Sequence, residues 1–318
     1  MVAPCTILRR LRDCSGWLDG YCEHERSTRF EELIVQSFAA ALHLPFYDRG
    51  SDQNQVSHRV VWAGSDKGSL RALPGLPDGI AYAHEFCVVI EATRMTGTRQ
   101  WSQEFCQCLR HARNVAATTA MGPQNVYTIL ITEHTHDDTY TAVRSRNRRC
   151  DFCVLPLETD LLARVLETSI LAFTLRHLDL RDLVNDMLGC LERSTDACDF
   201  RRRADTAARA WQKKVLDFEK PVVVAVKSYE AMLRIGRDHV GVGEILAHLL
   251  KHPVLRRYFR IMESEMRPET IVASLQSESL GSVCGRLLTG EELFCPVPLS
   301  DYKSRCARRQ AAVEEANA

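Results

Sequence analysis

The chain has 318 residues, and its 41 Lys and Arg are balanced by 41 Asp and Glu, so it is long enough for two domains and carries no global charge that announces a polyanionic partner. No apolar run reaches the ~20 residues of a membrane span, and MVAPCTILRRLRDCSGWLDG lacks the apolar stretch and cleavage site of a signal peptide. A cytosolic (cytoplasmic) protein with no membrane contact is expected, its thirteen cysteines mostly reduced thiols in apolar surroundings.

In chain order, residues 1–27 read as an N-terminal arm. STRFEELIVQSFAAALHL then has Ser27 and Thr28 as candidate caps and Phe30, Leu33, Ile34, Phe38, Ala41 and Leu42 on one face, the pattern of a helix. A loop rich in Gly, Ser and Asp follows from Asp48 to Leu73. Two strands, Asp78–Ala83 and Phe86–Thr93, flank a short turn at His84 and Glu85, which predicts an antiparallel hairpin. Thr96 or Thr98 caps the next helix, whose apolar positions are Trp101, Phe105, Cys108, Leu109, Ala112 and Val115 and whose end is set by Gly122-Pro123. NVYTILIT and CDFCVLPL are near-continuous apolar runs, as for strands buried on both faces, and a helix starts around Glu158. This order predicts an α/β or α+β domain over 28–195 with a central mixed sheet flanked by helices.

Residues 196–318 read as a mainly helical domain. Its helices are broken at His252-Pro253 and Arg267-Pro268, which suits a helix-turn-helix or winged-helix module with Lys227, Lys251, His252, Arg256, Arg257 and Arg260 as basic faces. A supporting bundle or a dimer surface fits equally well. CARRQAAVEEANA closes the chain as a frayed helix or tail. The run of arginines and lysines between Arg144 and Lys214 suits either a phosphate backbone or a set of solvated helix faces. Cys150 and Cys153 form CDFC without a second pair, and Cys106-x-Cys108 and the set Cys5, Cys14, Cys22 and His24 match no standard zinc module, so free thiols are expected there.

The hairpin carries an anomaly. Asp78 heads one strand and Glu91 sits inside the apolar burst of the next. A carboxylate is not left in a sheet core without compensation, because desolvating it costs several kcal/mol. Mg²⁺, with its preference for oxygen ligands, is the expected compensator. Glu104 follows Glu91 at the same interval that separates Glu91 from Asp78, and Gln100, Glu104 and His111 share a helix face with Gln107 between them. Glu31 or Glu32 of the first helix offers a fourth acid. Read singly, Asp78 is also the turn residue of Pro-Asp-Gly, Glu91 an edge-strand acid and Glu104 an exposed helix acid.

Pro77-Asp78-Gly79 followed by VIEATRMTGTRQWSQE resembles the PD-(D/E)XK nuclease superfamily, and within it the cleavage domains of type IIS restriction endonucleases, AlwI-like and FokI-like. In the AlwI-like group and related nicking endonucleases the second strand reads acid, apolar, Thr, then TG-x-x-Q-x-x-x-E and an Arg-His pair. Here that continuation is Thr96, Gly97, Gln100, Glu104, Arg110 and His111. FEEL at 30–33, ILITEHTHDDT at 129–139 and VLPL at 154–157 extend the resemblance more weakly, over residues 28–190. The superfamily's lysine is replaced by Thr93, with Arg94 beside it, and an arginine with a pKa above ~12 is no general base.

The resemblance implies an endodeoxyribonuclease of restriction or nicking type. Asp78, Glu91 and the backbone carbonyl of Ala92 would hold Mg²⁺, with Mn²⁺ as substitute. Glu104 would take the place of the lysine as a metal ligand or water-orienting group, assisted by Gln100, while Arg94, Arg110 and His111 would contact phosphate. Double-stranded DNA is the expected partner, together with a second copy or a partner subunit and a cognate DNA methyltransferase. The rival expectation is a DNA-binding or interaction protein whose nuclease-like core is inactive. Neither a GxxxxGK[ST] nor a GxGxxG loop is present to support a nucleotide site.

Overall fold

The computed structural model describes residues 2–48, 59–62, 76–83, 85–119, 121–172, 177–287, 289–290 and 292–317. The chain divides into two compact units, one of Met1–Ile170, Leu175–Trp211 and Asn317–Ala318, the other of Leu171–Thr174 and Gln212–Ala316. No helix among the described residues is long and apolar enough to cross a membrane.

The first unit is a mixed α/β fold. Residues expected as an arm form α1 (Pro4–Arg12) and α2 (Cys14–Leu18), which bury Ile7, Leu11, Cys14 and Leu18. The helix α3 (Glu23–Ala41) starts earlier than Ser27 and Thr28 predict, with extended Cys22 before it. Glu23 and Glu25 in its first turn favour that start, since acids stabilise the positive end of a helix.

Six strands form one sheet in the order β1 (Phe46–Asp48), β2 (Arg59–Trp62), β3 (Gly79–Tyr82), β4 (Cys87–Ala92), β5 (Val126–Thr132) and β6 (Val154–Glu158). The pairs β2/β3 and β3/β4 are antiparallel and the other three parallel. Strand β2 lies inside the segment expected as loop. Its four residues are too few to show a period, so only pairing reveals them. The rest of that expected loop beyond Asp48, and the turn residue His84, lie outside the described residues.

Helix α4 (Phe105–Thr119) is preceded by a π-helical turn, Gln100–Glu104, rather than running unbroken from Thr96 or Thr98. Gly97 there adopts φ +66°, a conformation that side chains resist. The face of β4 carrying Cys87 and Val89 packs on Ala112 and Val115 of α4, with Val126 and Phe152. Helix α3 meets β2, β3 and β4, and its Val35 lies against Gly79. α5 (Asp137–Asn147), α6 (Thr159–Leu171) and α7 (His177–Arg193) complete the helices confined to this part of the chain.

Helix α8 (Ala197–Ile235) runs through Pro221 without interruption. An internal proline costs about 3 kcal/mol, and the burial of Leu216, Val222, Val223, Val224 and Ala225 offsets it.

In the second unit, β7 (Val240–Gly241), α9 (Val242–Leu249), α10 (Pro253–Ile261), α11 (Pro268–Ser277), β8 (Gly281–Arg286), β9 (Glu292–Pro296) and α12 (Leu299–Asn317) follow in turn. Pro253 and Pro268 occupy the first turns of α10 and α11, where a missing N–H costs nothing. The three strands form a sheet in the order β7-β9-β8, all antiparallel. GSVCGR and ELFCP, short and partly exposed, hide their strand character in the sequence.

Candidate active site

The hairpin β3/β4 sets the geometry. Its register pairs Gly79 with Ile90, so the next step outward places Asp78 across from Glu91. Strand alternation puts Glu91 on the face of Cys87 and Val89, toward α4. There Glu91 is 4% exposed and its Oε1 lies 2.5 Å from His111 Nδ1. The Asp78 carboxylate accepts the Ala92 N–H at 2.7 Å, and the Asp78 backbone hydrogen-bonds Glu91 in return. The two acids therefore lock the end of the hairpin to each other.

Gly79 explains the third residue of Pro-Asp-Gly. A Cβ there would stand 2.6 and 2.7 Å from the methyls of Val35, so only glycine admits α3 this close to β3. One turn before Val35 on the same helix is Glu31, and its carboxyl feels those of Asp78 and Glu104. Glu32, its rival in the sequence, is instead engaged by Arg29 at 3.0 Å and Gln36 at 3.1 Å.

From α4 and its preceding turn come Glu104, Cys108 and His111, the i, i+4, i+7 face of a helix. Gln107 is exposed and lies off that face. Cys108, fully buried, senses Glu91, Glu104 and Asp78 and was not singled out in the sequence, where its apolar spacing made it a core residue. Thr93, at the lysine position of the resembled superfamily, donates through Oγ1 to Glu104 Oε1 at 3.2 Å and accepts the Met95 N–H at 3.1 Å. It thus holds Glu104 in place.

Burial and the neighbouring acids raise the proton affinity of every carboxyl gathered here. Burial and then Glu91 push Asp78 well above the carboxylate range, against the pull of the Ala92 N–H. Burial and Glu104 push Glu91 up likewise. Glu31 is raised to about 8, by burial first and then by Asp78 and Glu104. Burial also raises Glu104 despite the Thr93 hydrogen bond. His111 is lowered to about 4 by burial and by Arg110. Four carboxyls in mutual repulsion, all oxygen donors, suit a hard divalent cation better than any partner present in the chain.

Several expected residues lie elsewhere or are engaged differently. Gln100, 1% exposed, donates to the carbonyls of Met95 and His134 and accepts from His136 N and Thr139 Oγ1. Its amide therefore braces the turn against the β5–α5 connection and is not available to a water. His111 faces Glu91 instead of standing free for phosphate. Arg94 pairs with Glu133 at 3.0 Å, and Glu133 in turn accepts from Ser15 at 2.5 Å, a link between α2 and the end of β5 that the sequence concealed. Arg110 is exposed beside the site, its Nη2 3.5 Å from His111 Nε2. Arg256 and Arg257 belong to α10 of the second unit, where Arg256 lines a groove with Leu250, Phe259 and Arg260.

The basic run of 144–214 is largely engaged within the fold. Arg164 pairs with Asp205, Arg181 with Glu85, Arg201 with Glu158 and Asp137, Arg202 and Arg203 with Asp199, and Arg209 with Asp205. Arg144 and Arg148 donate to the backbone carbonyls of Ser194 and Glu192.

Comparison with known families matches residues 70–151 to the AlwI restriction endonuclease family. Among solved structures the chain is similar to the small subunit of the heterodimeric restriction endonuclease R.BspD6I, at a TM-score of 0.46 and 13% identity over 64% of this chain and 96% of that one. No curated protein gives a significant match.

Proposed function

We propose that the first unit is a divalent-metal-dependent endonuclease centre that hydrolyses DNA phosphodiester bonds, of restriction or nicking type within the PD-(D/E)XK superfamily. The observation that carries this reading is the set of four carboxyls, Glu31, Asp78, Glu91 and Glu104, gathered with no lysine and raising one another's affinity for protons. The family match over 70–151, which spans three of the four, supports phosphodiester chemistry over other uses of a metal.

Asp78, Glu91 and the Ala92 carbonyl would hold Mg²⁺ or Mn²⁺. Such an ion, when bound, polarises the scissile phosphate and lowers the pKa of water. Glu104, oriented by Thr93, holds the attacking water and takes its proton, the task given to lysine in the resembled superfamily. His111 fixes Glu91 through Nδ1, and Arg110, exposed at the rim, meets a phosphate oxygen and stabilises developing charge. One such centre cuts one strand, so double-strand cleavage would need a second copy or a partner subunit.

The second unit supports a DNA-reading role. The order helix, strand, three helices, hairpin and the sheet order β7-β9-β8 suit a winged helix carrying one extra helix, with α11 as the helix offered to a groove and β8/β9 as the wing.

Supercoiled plasmid incubated with Mg²⁺ or with EDTA tests the centre. Metal-dependent nicking or linearisation by the parent chain, lost in Asp78→Ala and Glu91→Ala, is the expected result. Folded parent protein that binds DNA but leaves it intact with Mg²⁺ and Mn²⁺ would replace this reading with that of an inactive nuclease-like core, as the threonine at position 93 would then suggest.

A further inference from the structure

The sheet of the second unit brings together three residues that stand far apart in the sequence. Strand β7 pairs Val240 with Phe294, so one step outward along β7 places His239 across from Cys295. Val240 and Phe294 are buried, and alternation turns His239 and Cys295 to the opposite, outer face. On β8 the register slips between Val283 and Gly285, leaving Cys284 as the extra residue of a β-bulge. A bulge re-aims its side chain, and Cys284 Sγ lies 3.2 Å from His239 Nδ1 while Cys295 Sγ lies 2.9 Å from the same nitrogen. All three potential donor atoms fall within 4.8 Å of one another.

We propose that His239, Cys284 and Cys295 form a zinc site that clamps the β8/β9 hairpin to β7. One imidazole nitrogen shared by two sulfurs is a poor hydrogen-bond arrangement, because Nδ1 offers a single proton or a single lone pair. It is a good donor set for a borderline-soft cation, which takes thiolate sulfur and imidazole nitrogen together. With bonds of about 2.0 Å to nitrogen and 2.3 Å to sulfur, tetrahedral geometry separates N from S by about 3.5 Å. The two nitrogen–sulfur separations, 3.2 and 2.9 Å, fall about 0.3 and 0.6 Å short of that value. Two thiols lose their protons to water on binding, so two thiolates balance the charge of one Zn²⁺. His239 and Cys284 are exposed, which leaves the fourth position to water. The ion does for this hairpin what a hydrophobic core does for larger sheets: the outer face of three short strands has little apolar area to bury.

The site is independent of the carboxylate centre, and the full chain tests it. Protein purified under reducing conditions without chelator and dialysed against metal-free buffer is assayed for zinc, then stripped and titrated with Co²⁺. The expected result is about one zinc ion per chain, and a cobalt spectrum with thiolate-to-metal charge transfer, which carboxylates do not give. Cys284→Ser and Cys295→Ser should each lose the charge-transfer band and most of the zinc. Cys150→Ser and the Asp78→Ala, Glu91→Ala double variant should keep both, which separates this site from the nuclease reading. Parent protein that retains no zinc and gives no charge-transfer band would overturn the proposal, as would undiminished loading in both cysteine variants. A Cys284–Cys295 disulfide found by mass spectrometry in the reduced preparation would overturn it too. Circular dichroism of the stripped and reloaded parent chain separates metal loss from misfolding of a variant.

Discussion

Two carboxylate clusters of the first unit make opposite use of the same chemistry. At Glu158, Arg201 donates at 3.2 Å, the Thr135 N–H at 3.0 Å and Tyr140 Oη at 3.5 Å, while the Arg201 guanidinium also pairs with Asp137 and lies over the Tyr140 ring. Every donor there answers an acceptor. At Asp78 and Glu91 the answer comes from a backbone N–H, a histidine held neutral and further acids. A cluster whose acceptors all meet donors ties elements together; one made mostly of acids holds its protons more tightly. Perturbed carboxyls of the second kind are where the proposed metal chemistry would sit.

Substitutions in the two clusters should therefore diverge. Asp78→Asn, which keeps an acceptor for Ala92 N–H, should lower metal-dependent cleavage by about 10³-fold or more and at the same time raise the melting temperature of the metal-free chain, since one repelling charge is gone. A fall in that melting temperature would break the contrast. Arg201→Ala should do the reverse, costing about 1–3 kcal/mol of stability in a urea titration by leaving Glu158 and Asp137 without their partner, with the specific activity of the folded fraction unchanged.

Gly79→Ala sharpens the comparison from the packing side. Its Cβ would collide with Val35, so a loss of about 1–2 kcal/mol is expected, and Val35→Ala in the same chain should restore part of it. No rescue would mean that α3 does not depend on this contact.

The remaining effect is the one on pH. Glu31 holds its proton up to about 8 in the fold against an ordinary value of 4.5. The native state then binds more protons than the unfolded state between those values, so metal-free stability is highest below about pH 4.5 as far as this group is concerned and falls as pH rises through about 8. Thermal melts should show the midpoint dropping by a few degrees over that window, and Mg²⁺ should raise the midpoint more at pH 8 than at pH 5. An equal Mg²⁺ effect at both values would detach the ion from these carboxyls.

The sequence made the hairpin and its acids legible because burial is written in alternation: a Glu inside VVIEA is visible against its neighbours. It also separated the helices of α3 and α4, which carry a period, and the strands β5 and β6, whose near-continuous apolar runs mark strands buried on both faces. Strand β2, with four residues, was not, and neither was the passage of α8 through Pro221, where burial outweighs a local signal. For the site itself, residue type and spacing nominated Glu31 and Glu32 equally, and Gln100 and His111 together. The fold shows what each touches: Arg29 and Gln36 engage Glu32, Glu31 stands one turn before the Val35 that meets Gly79, four hydrogen bonds engage Gln100, and His111 turns to Glu91.

By itself, then, the order of residues determined the longer elements of the first unit and which acids are out of place among them, because propensity and burial act over a few neighbouring positions. Only the tertiary structure decided which side chains meet. His239, Cys284 and Cys295 share no spacing that a metal motif would show, and a strand register with a one-residue bulge brings their donor atoms within 4.8 Å. Contacts of that kind depend on pairing between distant segments, and pairing is set by the whole sheet rather than by any stretch of sequence.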